Sequence, residues 1–140
     1  MATDNEIEQE IKDKGLTAPR VTPEHIKSCI VSEHYFTAAD GVDGADIQAA
    51  REKDASKEVT FVSLDSDVKK DGTPMATLSL LTFCVLVLRN GFTVTGESAC
   101  VSPENFDAEI GKKIARDNAV QKIWMLEGYA LKDRLHAGGI

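Results

Sequence analysis

Three groups of side chains in this 140-residue chain are of the types and spacings that could do chemistry. The first is Gly96-Glu97-Ser98-Ala99-Cys100. It resembles a nucleophile elbow, in which a serine is presented on a sharp turn between a strand and a helix. The second is Cys100 itself, just ahead of Ser102-Pro103-Glu104. A thiol at a helix N-terminus can have its pKa lowered and so act as a nucleophile. The third is the set Lys113, Arg116, Asp117 and Gln121. At helical spacing, Phe106, Ile110, Ile114, Val120 and Trp124 form an apolar stripe, and Asp117 and Gln121 fall inside it. A carboxylate in such a stripe needs partners or a wet cleft, because an unpaired buried charge is costly. With Lys113 and Arg116 beside it, the set reads as a pocket for a small anionic, nucleotide-like ligand. The alternative is an internal Lys113–Asp117 pair, with the acid on the less favourable C-terminal side.

The first two groups carry less than the third. The chain is far shorter than an α/β-hydrolase and lacks its alternating strand–helix units, and the only later histidine is His136, close to the C-terminus. Ser98 and Ser102 therefore read as satisfying backbone groups in a strand-to-helix turn, and Cys100 as a small buried residue. No catalytic residue is assigned. The capped turn at 102–105 is a second, weak anion site. Cys29 and Cys84 lie in apolar patterns, and three widely spaced cysteines make neither a disulfide framework nor a zinc signature. His25 and His34 are nine residues apart and share no metal-binding helical face. Neither a metal nor a cofactor is expected.

Charge narrows the choice of partners. Residues 1–71 hold 16 acids against 9 bases, whereas residues 72–140 hold 7 of each. An acidic half disfavours duplex nucleic acid, whose recognition depends on a basic face. The longest apolar run, Leu78 to Leu88, is too short to span a bilayer, and the acidic N-terminus is unlike a secretory signal. A reduced, cytoplasmic, non-membrane protein is expected.

The positioning elements follow from the local patterns. The chain reads as one domain over residues 1–140, with residues 1–15 a weakly held helical arm anchored by Ile7 and Ile11. Thr22-Pro23-Glu24 starts a helix expected over 23–35 from the spacing of Ile26, Cys29, Ile30 and His34. Residues 57–64 read as a strand, and residues 43–78 as an insertion that includes a surface helix at 45–56. Two strands at about 80–89 and 92–98 flank Asn90-Gly91, the dipeptide favoured in type I′ turns. Such a turn pairs Arg89 with Phe92 and Val87 with Val94, and puts Phe83, Val85 and Val87 on one face. Ser102-Pro103 starts a helix expected over 103–127, broken or kinked at Gly128. The fold expected is α+β: an antiparallel hairpin or small sheet packed with helices 23–35 and 103–127. Apolar residues outside the main core faces (Leu86, Leu88, Ile123, Leu126) suggest a homo-oligomer.

The stretches EHYFTAADG, NGFTVTGESAC and NFDAEIGKKIA carry a resemblance. Over roughly residues 16–41 and 79–135 the chain resembles a family of phage and prophage proteins of the gene-product-49/gene-66 type. Residues 43–78 have no counterpart in it, in keeping with an insertion. The resemblance implies a phage origin and a location in the host cell, but brings no catalytic residue, ligand or cofactor with it. The function expected is that of a non-enzymatic accessory protein modulating a host or anti-phage defence process, through a host protein or a small anionic ligand. A small enzyme using Cys100 or Ser98, and a minor structural or assembly protein, are the alternatives.

Overall fold

The computed structural model describes residues 3–53 and 73–138. In chain order it contains α1 (Asp4–Asp13), α2 (Pro23–Cys29), β1 (Ile30–Thr37), α3 (Ala38–Lys53), α4 (Pro74–Leu78), β2 (Leu81–Leu88), β3 (Thr93–Ala99), a 3-10 turn (Pro103–Asn105) and α5 (Ala108–His136). The strands form an antiparallel sheet in the order β1-β2-β3, so the α+β class holds. The strand expected at 57–64 lies outside the described residues.

The third strand of the sheet comes from where a helix was expected. The helix that begins at Thr22 ends at Cys29 rather than at 35, and Ile30–Thr37 is β1. The helical spacing runs on to His34, but Ile30, Val31, Tyr35 and Phe36 are strand formers. Pairing with β2 overrides a periodicity supported by only four residues. The N–H of Arg89 donates to the Cys29 carbonyl at 2.9 Å and satisfies a helix-terminal acceptor at the switch.

The hairpin is present, but its turn is not the one the dipeptide suggested. The N–H of Gly91 donates to the Leu88 carbonyl, and the N–H of Leu88 to the Phe92 carbonyl, both at 2.8 Å. Gly91 has φ 87°, whereas Asn90 keeps a negative φ. This is a three-residue loop, a type I turn closed by a glycine bulge, not a type I′ turn. Leu88 therefore pairs with Phe92. Near the far end, the Cys100 N–H donates to the Leu80 carbonyl in the same register. Leu86 faces Val94 and Cys84 faces Gly96. A one-residue slip moves every side chain to the other face, so the buried face carries Thr82, Cys84, Leu86 and Leu88, while Phe83, Val85 and Val87 are half-buried. Both faces of β2 are thus at least partly covered, with Phe83 stacked on Phe36 of β1 at a centroid distance of 5.6 Å.

Residues 103–105 form only the 3-10 turn, and Ser102 makes no side-chain cap. The long helix starts at Ala108, where the Asp107 carboxylate accepts from the Ile110 N–H at 3.1 Å. It then continues as helix past Gly128 to His136. A mid-helix glycine costs only about 1 kcal/mol relative to alanine, too little to end a helix whose neighbours on both sides are helix formers.

The chain divides into two compact units, each with its own buried residues. In the described parts of Met1–Glu33, Leu86–Val94 and Val120–Ile140, the buried apolar side chains are Ile26, Cys29, Leu86, Leu88, Val94, Val120 and Ile123. In the described parts of His34–Val85 and Thr95–Ala119 they are Ala39, Ala76, Leu80, Cys84, Ala115 and Ala119. In this second unit Thr37 and Asp40 close a reciprocal capping box on α3, with bonds of 3.0 and 3.1 Å.

The buried residue of α1 in the first unit is charged. Ile7 is exposed and Glu8 is buried. Glu8 accepts two hydrogen bonds from Arg20, one of them Nη2 to Oε2 at 2.9 Å and the other Nη1 to Oε1, and Lys12 lies 3.9 Å away. A bidentate, charge-assisted pair thus ties down the arm that sequence patterning left to Ile7 and Ile11. Hydrogen bonding from Arg20 holds the Glu8 carboxyl below its ordinary value, outweighing the opposite pull of burial. A carboxyl whose folded pKa is depressed contributes stability above its unfolded pKa and loses it as pH falls through the folded one. Thermal melts taken downward from about pH 5 are expected to show an acid-side loss that begins below the ordinary glutamate value of about 4.3. Part of that loss should disappear in Glu8→Gln, and an unchanged pH profile in the variant would refute the assignment.

Candidate functional site

The expected ligand residues lie on α5, but not where the apolar stripe suggested. In the second unit the helix buries Gly111, Ala115 and Ala119, spaced one turn apart, whereas Ile110 and Ile114 are exposed. The buried face is made of small residues because β3 comes very close at Gly96. A Cβ built there would overlap the Ala115 carbonyl oxygen and the Ala119 amide nitrogen, and would stand 3.0 Å from the Ala119 Cα. The Asn118 amide donates to the Glu97 carbonyl at 2.8 Å and fixes the same helix–strand approach.

Lys113 and Asp117 are therefore exposed, not embedded in an apolar stripe, and Gln121 is exposed one turn further along the helix. The Lys113–Asp117 ion pair is not formed among the described residues. Arg116 is half-buried and already interacts within the chain. Lys113 follows Ile110 by three residues and Asp117 follows Ile114 by three, so both polar side chains adjoin the exposed isoleucines on one helix surface.

That surface borders a depression of about 270 Å³ in the second unit. Ile110 and Ile114 form one wall, with Thr82, Ser98, Cys100 and Phe106 among the other lining residues. A smaller depression on Phe36, Thr37, Phe106 and Lys112 shares Thr82 and Phe106 with it. Both nucleophile candidates line the larger depression, yet neither has the predicted setting. Ser98 sits within β3, a regular strand, rather than on an elbow. The Cys100 thiol donates to the Ser102 carbonyl at 3.2 Å and precedes a 3-10 turn of three residues, not a helix N-terminus.

A cluster that the sequence did not suggest lies in the first unit. His25 and Cys29 are one turn apart on α2, and Glu127 comes from α5. His25 Nε2 is 3.0 Å from Glu127 Oε2 and 3.7 Å from Cys29 Sγ, and the Cys29 thiol donates to Glu127 Oε1 at 3.5 Å. The three donor atoms lie within 4.8 Å of one another. Cys29 is only 1% exposed, while the His25 and Glu127 side chains keep 32% and 20%. Burial, reinforced by the adjacent Glu127 carboxylate, pushes the Cys29 thiol up. The hydrogen bond from His25 holds the Glu127 carboxyl down. The histidine nitrogen that faces the sulfur also faces the carboxylate, so the trio lacks the relay in which a third group orients a base toward a nucleophile. A protonated thiol shielded from water is a poor nucleophile. The spacing of His25 and Cys29 was visible in the sequence, but nothing pointed to Glu127, 98 residues further on.

No helix among the described residues is long and apolar enough to cross a membrane. Comparison with curated proteins and with solved structures returned no match. The model of the phage protein family of N4 Gp49 and phage Sf6 gene 66 matches residues 21–135, a span containing both depressions, the exposed face of α5 and the His25–Cys29–Glu127 cluster, and the chain belongs to that family.

Proposed function

We propose that this phage protein is a non-enzymatic accessory protein that binds a small anionic, nucleotide-like ligand and thereby modulates a host or anti-phage defence process. The observation that carries the reading is the exposed face of α5, where Lys113 and Asp117 adjoin the isoleucine wall of the 270 Å³ depression. A nucleotide needs an apolar or aromatic surface for its base, cations for its phosphates and an acceptor for its hydroxyls. Ile110, Ile114 and Phe106 can supply the first, Lys113 the second and Asp117 the third, whereas Arg116 lies on the far side of α5, about 200° round the helix from Ile114. Exposed Met125, Leu126 and Tyr129 further along α5 support a second copy of the chain as a partner.

Native mass spectrometry of protein purified gently from an infected host tests both parts. The expected spectrum is a defined oligomer carrying one small anionic mass per binding site. Isothermal titration with that compound should then show Lys113→Ala weakening binding about tenfold or more, which is about 1.4 kcal/mol. For the exposed Lys113, the melting temperature should hardly change. Wild-type affinity in Lys113→Ala would refute the assignment.

The lining of the same depression by Ser98 and Cys100 favours a small enzyme as the second reading. Chemical turnover of the captured ligand that is lost in Cys100→Ala or Ser98→Ala would establish it in place of simple binding.

A further inference from the structure

We propose that His25, Cys29 and Glu127 form a three-ligand site for a zinc-type divalent ion, with a fourth coordination position open to water. The inference is independent of the ligand site on α5 and rests on the donor set and its geometry.

One imidazole nitrogen, one thiolate and one carboxylate are the three donor types that zinc accepts. Calcium and magnesium take all-oxygen shells and would gain nothing from the sulfur or the nitrogen. Bond lengths of about 2.0–2.3 Å at tetrahedral angles put neighbouring donor atoms about 3.3–3.6 Å apart. The separations here are 3.0 Å from His25 Nε2 to Glu127 Oε2, 3.7 Å from Cys29 Sγ to His25 Nε2, and 3.5 Å from Sγ to the other carboxylate oxygen, Oε1. With either carboxylate oxygen as the ligand, two of the three edges fall within about 0.3 Å of that range. The donor atoms all lie within 4.8 Å of one another, so a rotation of the carboxylate would close the shell.

The residues also sit on elements that hold them. His25 and Cys29 share one face of α2 at i and i+4, the spacing that brings two ligands to one ion. The His25 N–H donates to the capping hydroxyl of Thr22 at 3.1 Å, which fixes the helix start. Glu127 lies inside α5, well before its last residue, His136. Cys29 is enclosed while His25 and Glu127 are partly exposed, so the sulfur side is closed and the opposite side reaches solvent. Closed structural zinc sites have four protein ligands, whereas three with one side open leave room for water or an exchangeable ligand.

Charge also balances. Binding breaks the S–H bond of Cys29 and releases that proton to solvent, shifts the His25 ring N–H from Nε2 to Nδ1 by exchange with water, and forms metal–thiolate and metal–imidazole bonds. One thiolate and one carboxylate then neutralise the divalent ion. Arg89 is the cation that acts electrostatically on both Cys29 and Glu127. Its positive charge opposes an uncompensated cation but not a neutral complex. The hydrogen bonds within the trio hold the donors together in the metal-free protein, so little reorganisation is needed on binding.

The test uses the full-length protein, kept reduced and stripped of metal with a chelator, then titrated with zinc against a chromogenic competitor and with cobalt for its spectrum. One zinc per chain is expected, with a raised melting temperature and a thiolate-to-cobalt charge-transfer band in the near ultraviolet. Cys29→Ala should remove that band. Because Cys29 is buried, Glu127→Gln provides the second variant: it keeps the side-chain shape and should weaken zinc binding at least about tenfold, the lower bound seen when even an outer-shell partner is lost. Binding without a thiolate band, wild-type affinity in Glu127→Gln, or no binding at micromolar zinc would each overturn the proposal.

Discussion

Replacing Gly96 with alanine is expected to destabilise the protein by about 3 kcal/mol or more, lowering the melting temperature by roughly 10 °C for a chain of this size. Two effects of opposite sign compete. Alanine restricts the unfolded chain and suits a strand better than glycine, which favours the variant by up to about 1 kcal/mol. Against that, the new methyl group would meet the backbone of α5 at Ala115 and Ala119. Flexible side-chain ends can rotate away from an intruding group, but helix backbone cannot without moving the whole element. The overlap therefore dominates. Gly44 of α3 is the control: a Cβ there meets nothing within 4 Å, so Gly44→Ala should stabilise by about 0.5–1 kcal/mol. Thermal denaturation followed by circular dichroism reads both. Equal stability of Gly96→Ala and the wild type would show that the strand does not approach the helix as closely as described.

Leu86→Ala is expected to cost about 3–4 kcal/mol, while Val87→Ala one residue on costs less than about 1.5 kcal/mol. Leu86 is fully buried and among the largest completely enclosed side chains, whereas Val87 is half-buried on the opposite face of β2. Deleting three carbons from Leu86 removes their transfer free energy and leaves a cavity in the first unit, but a half-exposed valine loses only part of its smaller contribution. Chemical denaturation of the pair discriminates between the two hairpin registers. A type I′ turn at Asn90-Gly91 would put Val85 and Val87 inside and reverse the order of the two costs.

That register marks the limit of what could be read from the sequence. Asn-Gly announced a hairpin, and the apolar run before it announced a buried strand. The same dipeptide, however, fits a two-residue loop or the end of a three-residue one, and the difference is whether Asn90 takes a positive φ. It does not, and no property of residues 80–98 alone decides this. On α5 the reading followed the large apolar side chains to Ile110 and Ile114. The buried face instead runs through Gly111, Ala115 and Ala119, because a neighbouring backbone at Gly96 leaves no room for anything larger. Small residues carry little periodic signal. The switch at Cys29 was hidden because helical spacing happened to persist for one turn into a segment that pairs as a strand. For the candidate sites, Lys113, Arg116, Asp117 and Gln121 were found by an argument about burial that the structure replaces with exposure. The His25–Cys29–Glu127 cluster joins residues about a hundred positions apart, and no local pattern encodes such a meeting.

The connection between the two neighbouring strands β1 and β2 runs from Ala38 to Leu80, 43 residues. Without residues 43–78 it would be 7 residues long. Closure entropy alone would barely oppose the longer connection, since for a flexible chain it grows only with the logarithm of length, but α3 and α4 lie within it and bury Ala39 and Ala76 in the second unit. The chain between the first two strands therefore contributes buried packing as well as length, and a shortened connection has to replace what Ala76 fills.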